Sequence, residues 1–440
     1  MKLRNKAAVL AAVGALTAVG ATSAMAMEHQ FNGAFTIYSD FSNINGSRAG
    51  QDFYRPDLFD KKAPTANYIE SRARLGYTAK ANDDLKLVSM FELDFNYWGN
   101  SAYTSKRGGG GALGADTVNL ETKNLYLDAN ISKSTNVKAG MLGFDDAFKN
   151  VFVGADMAGI LVTHSYSNAA ATVGAFRWND NPAAGTLGHQ TRDFLVLDGK
   201  FDLNKHTKLG AAYYFVKDHA ENNDTIHMIG VNGETTAGPL TLDGFVAAQF
   251  GEVGVAKKDL SAYAASLGAK VKAGKGTLRA DLLYTSGDEG TNSSRTNAFQ
   301  SVGNNTEGSR ESGYYANEMV ILSRDKNAFT IDNAIVYDAN NRNHGVIFAA
   351  VGYDQPLSDK LNCSANLGFA WNESSQPGEN SDKFLGTEVN AELTYKAVEN
   401  VTLSARGAYV FLGDFYKNVA VGGGTPDNPY DFKLLAKYSF

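Results

Sequence analysis

Apolar and polar residues alternate along much of the chain. In one stretch the apolar positions are Leu85, Leu87, Phe91, Leu93, Phe95 and Tyr97, and the polar positions between them are Lys86, Glu92, Asp94 and Asn96. The stretch before it alternates in the same way, with Ile69, Ala73, Leu75 and Tyr77 against Glu70, Arg72, Arg74 and Thr78. Successive side chains of a β-strand point to opposite faces, so this period predicts strands with one apolar and one polar face. The turn residues 82–84 between the two stretches predict a hairpin.

The last stretch of the chain, residues 430–440, has the same alternation. Its apolar positions are Phe432, Leu434, Ala436, Tyr438 and Phe440, and the positions between are Asp431, Lys433, Leu435, Lys437 and Ser439. A strand that stops on an aromatic residue leaves no tail to cover its edge. We therefore expect this strand to pair with the first strand of the chain and close a barrel.

Short turns and long connections follow one another between the predicted strands. Short turns are predicted near 132–136, 204–206, 237–239, 274–276, 355–360 and 397–400, and long polar connections at 42–66, 99–117, 144–158, 180–191, 219–224, 252–259, 286–316, 373–382 and 414–428. This asymmetry is typical of the periplasmic and external ends of a bacterial barrel. The prediction is an all-β fold, a transmembrane antiparallel up-and-down β-barrel of about 18 strands, with 16 to 20 possible. Residues 315–343 are an extra hairpin or structure inside an external loop.

The amino terminus has the pattern of a secretory signal peptide. Lys2, Arg4 and Lys6 precede an apolar run, and Ala24-Met25-Ala26 is a small-x-small cleavage site, so we expect residues 1–26 to be removed and residues 27–440 to form the barrel. Loss of those three positive charges takes the net charge from −6 to −9, which argues against a nucleic-acid partner. No later apolar run approaches the roughly 18 residues of a membrane helix. The 45 glycines, 21 tyrosines and 25 phenylalanines suit short strands, tight turns and aromatic belts.

Signals for chemistry are weak. The single Cys363 cannot form an internal disulfide, and the chain has neither a His-Glu-x-x-His nor a Cys-x-x-Cys-His pattern. Residues 108–111 are four glycines without the Gly-Lys-Ser/Thr of a phosphate loop. We expect no enzymatic activity, no metal and no cofactor.

Two groups of charged residues fall on polar, inward faces. Pairing across the 82–84 turn brings Arg72 and Arg74 close to Glu92 and Asp94. In the hairpin of 384–411, Arg406 falls near Glu388, Asn390 and Glu392. One interpretation is cross-strand ion pairing that stiffens the wall, and the other is a charged wall that sets ion selectivity.

The mature chain resembles Gram-negative porins over its whole length. The resemblance rests on the signal peptide, the alternating strands, the unequal loops, and an ending on Tyr438 and Phe440 that resembles the assembly signal of outer-membrane barrels. The stretches Phe31–Tyr38 and Phe91–Phe95 are most similar to porins of metal-reducing bacteria. The resemblance implies location in the outer membrane, insertion by the barrel-assembly machinery, contact with lipid, and passive diffusion of ions and small hydrophilic solutes. It also implies a homotrimer with the third external loop folded inward.

Residues 144–158 form that third external loop in the predicted order. Phe144, Phe148, Val151, Phe152, Val153 and Met157 are interleaved with Asp145, Asp146, Lys149 and Asp156. So much apolar surface seldom stays in water. We expect the loop to fold into the lumen as a constriction, with Asp145, Asp146 and Asp156 toward the pore. A loop on the barrel rim or against a neighbouring protomer is the alternative.

Two other functions remain open. A barrel that sheathes multihaem cytochromes in an electron conduit would have few obstructions in its lumen. A structural or adhesive barrel would have a closed lumen, and about 18 strands make too wide a ring for that without a plug.

Overall fold

The chain folds as a closed barrel of 18 antiparallel strands. A computed structural model describes residues 27–44, 65–99, 109–110, 119–180, 186–219, 223–301, 315, 317–327, 334–420 and 423–440. The strands are β1 (Glu28–Ser42), β2 (Ala66–Asn82), β3 (Leu85–Trp98), β4 (Asn119–Ser132), β5 (Thr135–Asp145), β6 (Gly154–Ser165), β7 (Ala169–Asp180), β8 (Thr191–Asn204), β9 (Thr207–Asp218), β10 (Thr225–Ala237), β11 (Leu240–Val253), β12 (Lys258–Ala273), β13 (Gly276–Thr285), β14 (Val346–Pro356), β15 (Leu361–Asn372), β16 (Phe384–Val398), β17 (Val401–Leu412) and β18 (Tyr430–Ser439). Two further pieces, Gly109–Gly110 and Arg295–Thr296, pair in parallel with β3 and β12. The predicted fold class is confirmed. The predicted signal peptide, residues 1–26, lies outside the described residues.

Each strand pairs with its neighbours in the sequence, and β1 pairs with β18. Every short turn predicted from the sequence separates two paired strands, and a further one lies at 166–168. The connections predicted to be long lie at the opposite end of the barrel, but the one predicted at 252–259 has only the four residues 254–257. Among the described residues, no helix is long and apolar enough to cross a membrane.

The two faces of the wall follow the alternation of the sequence. In β8, Leu195 and Leu197 are 46% and 49% exposed on the outer surface, whereas Phe194 and Val196 are fully buried on the inner face. Leu385 of β16 is buried, although a strict alternation along 384–411 predicts that it shares the outer face with Val389 and Leu393. The pairing between β15 and β16 shifts by one residue beside Gly386, and this bulge reverses the side to which Leu385 points.

Residues 315–343 contribute no barrel strand in their described part. Ser323 and Val336 form an isolated bridge, and the segment belongs to the seventh external connection, between β13 and β14. Of the two interpretations of this segment, structure inside an external loop is correct.

The seam between β1 and β18 ends at Phe440. The Phe440 N–H donates to the Gly33 carbonyl at 3.0 Å, and the Gly33 N–H donates to the Phe440 carbonyl at 2.9 Å. The Phe440 ring lies 5.6 Å from the Tyr438 ring on the outer face. The last residue therefore contributes one hydrogen-bonded pair and one aromatic contact to closure.

We expect deletion of Phe440 to lower the amount of heat-modifiable barrel in outer membranes several-fold, because it removes both main-chain bonds and the ring. Phe440→Ala keeps the bonds and should lower it less. Comparing unheated and heated samples on a denaturing gel, at low expression, measures both. Unchanged barrel in the deletion variant would contradict a role in assembly.

Candidate pore constriction

Loop A, residues 146–153 between β5 and β6, folds into the barrel. Its Phe148 ring lies 5.7 Å from the Tyr214 ring of β9 and 5.6 Å from the Phe245 ring of β11. The Phe152 ring stacks on Tyr214 at 6.0 Å. Gly230 of β10 leaves room for Phe148, since a Cβ there would lie 2.7 Å from the tip of its ring. Loop A thus covers the inner face of β8–β11.

Asp146 holds loop A in its fold. Its carboxylate accepts four backbone N–H bonds, from Phe148 (2.7 Å), Asn150 (3.0 Å), Phe152 (2.7 Å) and Val153 (2.7 Å). Burial raises the pKa of Asp146 to about 6, and the four donors oppose this rise. The Asp146 carboxylate thus connects four backbone positions of loop A and fixes the conformation of the loop.

Loop B is the described part of 315–340, namely residues 315, 317–327 and 334–340. Met319, Val320, Ile321 and Leu322 are at most 3% exposed. Glu388 of β16 accepts the successive N–H groups of Val320 (2.8 Å), Ile321 (3.0 Å) and Leu322 (2.6 Å). Gly368 of β15 leaves room for Met319, whose sulfur would lie 2.3 Å from a Cβ at that position. Loop B is therefore anchored inside the barrel.

Asp325 fixes the far end of loop B. Its carboxylate accepts bonds from Arg406 of β17 at 2.8 and 2.5 Å and from Lys433 of β18 at 2.9 Å. Lys433 also lies 3.3 Å from Asp40 of β1 and 3.1 Å from Asp431. Burial alone would raise the pKa of Asp325, and the charges of Lys433 and Arg406 outweigh it and hold the pKa at about 2. From residue 315 to residue 325, the contacts of loop B run in order from β12 to β18.

The inner face of β2 and β3 lies in the sector of the barrel that loops A and B do not cover. It carries Arg72 and Arg74. Arg74 Nε donates to Glu92, and Arg72 Nε lies 3.7 Å from the same carboxylate. The Arg74 side chain is 40% exposed, that of Arg72 is 14% exposed, and that of Glu92 is 8% exposed. The predicted pairing of these three residues is confirmed, and their role in selectivity stays a prediction. Asp94 lies on β3, and its side chain is outside what the structure describes.

The expected positions of the three aspartates of 144–158 are wrong. Asp146 is only 7% exposed, inside loop A. Asp145 shares its face of β5 with the exposed Met141, and Asp156 shares its face of β6 with the exposed Ala158, so both point outward. Asp156 binds Lys123 there at 2.5 Å. The strands extend further into 144–158 than expected, and their alternation decides the direction of both side chains.

Arg406 faces inward as predicted, but it does not line open lumen. It is 4% exposed beneath loop B, and its close partner is Asp325, while Glu392 is 4.0 Å away. Asp325 was missed because nothing local in the sequence indicates its contact with β17. The apolar run Met319–Leu322 was a signal that this segment leaves water.

We expect Asp146→Asn to loosen loop A, because an amide oxygen can accept only part of the four N–H bonds and its NH₂ group would face the other donors. Each buried donor left unpaired costs about 1–3 kcal/mol. Single-channel conductance should rise. Asp145→Asn is the matched control, since the one hydrogen bond that Asp145 accepts within the described part of the chain comes from the Asn150 side chain, at 2.9 Å. Equal conductance of the two variants would contradict the role of Asp146.

Docking of loop B should resist acid down to about pH 4. The pKa of Asp325 is about 2 in the folded chain, below the usual value of about 3.9, so its contribution to stability is present above pH 4 and is lost as the pH falls toward 2. Wild-type conductance should therefore step upward between pH 4 and 2, separately from any change that protonation of Asp146, with its pKa of about 6, causes at higher pH. In Asp325→Asn the step should be absent and conductance high throughout. If Asp325→Asn showed a conductance step of the same size, the step would have to come from other carboxyl groups.

Comparison with known proteins supports the fold. OpdK of Pseudomonas aeruginosa is 12% identical with a TM-score of 0.55, and the match covers 94% of this chain and 98% of that one. A BenF-like porin of Pseudomonas fluorescens is 14% identical with a TM-score of 0.56 over 94% and 98%. OccK2 of P. aeruginosa, in complex with glucuronate, is 12% identical with a TM-score of 0.55 over 94% and 96%. At these identities the likeness concerns the fold.

No protein with curated annotation matches this chain. A family model described as Alginate export matches residues 200–422. The match extends from the end of β8 past β17, so it includes loop B and most of the wall to which loop B binds. It spans just over half of the sequence, and the chain belongs to the Alginate export family.

Proposed function

We propose that the protein is a water-filled channel of the outer membrane through which ions and small polar solutes diffuse. The observation that carries the proposal is the lumen itself, in which loops A and B cover the inner face of β8–β18 while the polar face of β2 and β3 lies in the remaining sector. Narrowing by folded loops limits the size of a solute, and charged wall residues bias its charge. The proposal requires no chemical reaction.

The solutes we favour are anions, and sugar acids among them. Arg72 and Arg74 both lie against the carboxylate of Glu92, so two cationic groups stand side by side on this part of the wall. Arg74 is also half-open to the lumen. A family described by alginate and a similar structure that holds glucuronate both involve sugar rings with carboxylates. An arginine can bind such a carboxylate through two N–H groups.

A cytochrome sheath is the alternative that the sequence left open. Loops A and B fill part of the lumen that such a sheath would keep free, and the comparisons lend it no support. Cleavage after residue 26, insertion by the assembly machinery and a homotrimer remain proposals that follow from the resemblance.

Single-channel recording tests the proposal, with reversal potentials measured in a tenfold salt gradient. Arg72→Glu combined with Arg74→Glu should move the reversal potential toward cations by on the order of 10 mV, out of about 59 mV for perfect selectivity. The shift should shrink at high salt because the charges are screened.

Arg177→Glu is the control for that experiment. Arg177 lies on the outer face of β7, next to Phe176 of the inner face, and pairs with Asp193 at 2.9 Å. Its reversal should leave the potential unchanged. A folded wild-type protein that forms no channels would reject the proposed function, and an unmoved potential in the double variant would leave the arginines as bracing residues only.

A further inference from the structure

Loops A and B cover neighbouring sectors of the wall and meet at Lys149. Loop A ends on β11, through Phe148 and Phe245. Loop B begins at Tyr315, whose hydroxyl lies 3.5 Å from Ser266 Oγ of β12 and 3.4 Å from Asp281 Oδ1 of β13. At the level of Tyr315, the border between the two loops therefore lies between β11 and β12, whereas nearer the external end Gln300 of the same β13–β14 connection bonds Gln249 of β11.

The Lys149 side chain reaches across this border. Its Nζ lies 2.5 Å from Asp243 Oδ2 of β11, donates to Ser266 Oγ at 3.1 Å, and lies 5.8 Å from the centre of the Tyr315 ring. The ring is 6% exposed and also contacts Phe348 of β14 at 6.1 Å. One ammonium group thus contacts loop A's own wall strand, the next strand and the first described residue of loop B.

The backbone at Lys149 is held in an unfavourable conformation. Lys149 has φ 59° and Asn150 has φ 61°, so two successive residues that are not glycine adopt the left-handed region. Such a conformation persists only where surrounding contacts over-determine it, and it often marks a functional position. Here it aims the side chain at Asp243 and Tyr315.

We propose that Lys149 is a positioning residue that joins loops A and B into one barrier. With the border closed, solutes are confined to the sector of β1–β7, which includes Arg72 and Arg74. Without this contact a second path would open between the loops, on the side of the lumen away from these arginines. This inference rests on the proposed channel function and names the element that sets the route.

The test compares two double variants, each of which leaves the net charge unchanged. Lys149→Met with Asp243→Asn removes the contact between the loops. Lys326→Met with Glu318→Gln removes a pair within loop B, together with the 3.9 Å contact of Glu318 with Arg279 of β13, and leaves the contacts of Lys149 intact. Both are first checked for a heat-modifiable barrel. Lys149→Arg, which keeps the charge and the aromatic contact, should behave like the wild type.

We expect the Lys149/Asp243 variant to conduct about 1.5 to 2 times as much as the wild type, because a second path runs in parallel with the first. The decisive readout is the effect of Arg74→Glu. In the wild-type background it shifts the reversal potential fully, whereas in the Lys149/Asp243 background the shift should fall to roughly half, because part of the current avoids Arg74. The Lys326/Glu318 background should keep the full shift.

Tyr315→Leu opens the same border from loop B while it keeps the Lys149–Asp243 pair, and it should also reduce the Arg74 shift. A conducting wild type, together with full Arg74 shifts in both the Lys149/Asp243 and Tyr315 backgrounds, would overturn the inference and leave the proposed function standing. Absence of channels in the wild type would overturn both.

Discussion

Lys433 is the charge on which closure of the barrel and insertion of loop B both depend. Its ammonium group lies within 3.3 Å of carboxylates from the first strand, the last strand and loop B, and its side chain is 3% exposed. A buried charge is costly unless partners surround it, and removal of one partner of a buried pair costs far more than the pair itself contributes. The fold can satisfy Lys433 only if Asp40, Asp431 and Asp325 arrive together. The seam and loop B are therefore coupled through one side chain.

The width of the barrel explains why its loops are apolar. A ring of 18 strands encloses more space than wall side chains can fill. Loop A places Phe148, Val151 and Phe152 in that space. They pack against Phe194, Tyr214 and Phe245 of the wall, and all six residues are at most 5% exposed. Burial of apolar surface between the loop and the wall stabilises the contact by roughly 25 cal/mol per Å². The same burial that narrows the lumen also holds the loop in place.

Strands and turns were predictable because each depends on neighbours in the sequence. The hairpin of β2 and β3 needs only alternation and a turn, and with them the pairing of Arg72 and Arg74 with Glu92 follows. The contact of Asp325 with Arg406 joins residues 81 apart in the chain, and its contact with Lys433 joins residues 108 apart, without any periodic pattern. A bulge such as that beside Gly386 shifts the register by one residue and is equally hidden. One usable signal was overlooked: Phe194-Leu195-Val196-Leu197 is apolar on both faces, which indicates a wall segment covered on its inner side.

Alternation tells which side chains point inward, but not which of them meet a solute. Arg74 and Arg406 are equivalent by this rule, yet the Arg74 side chain is 40% exposed beside one carboxylate, and the Arg406 side chain is 4% exposed in a bidentate pair with Asp325. The two exposures differ because loop B covers Arg406 on β17 but its described contacts end at β18, so it does not cover Arg74 on β2. A charge whose hydrogen-bonding groups are taken up by a loop anchors that loop, whereas a charge with open donors can act on ions in the passage. The same rule applies to Asp146. Its sequence position predicted an acidic residue open to the lumen, but its carboxylate is occupied by four N–H bonds within loop A. Where loops A and B stop therefore decides which wall charges stay open to the lumen, and with them the selectivity that we propose.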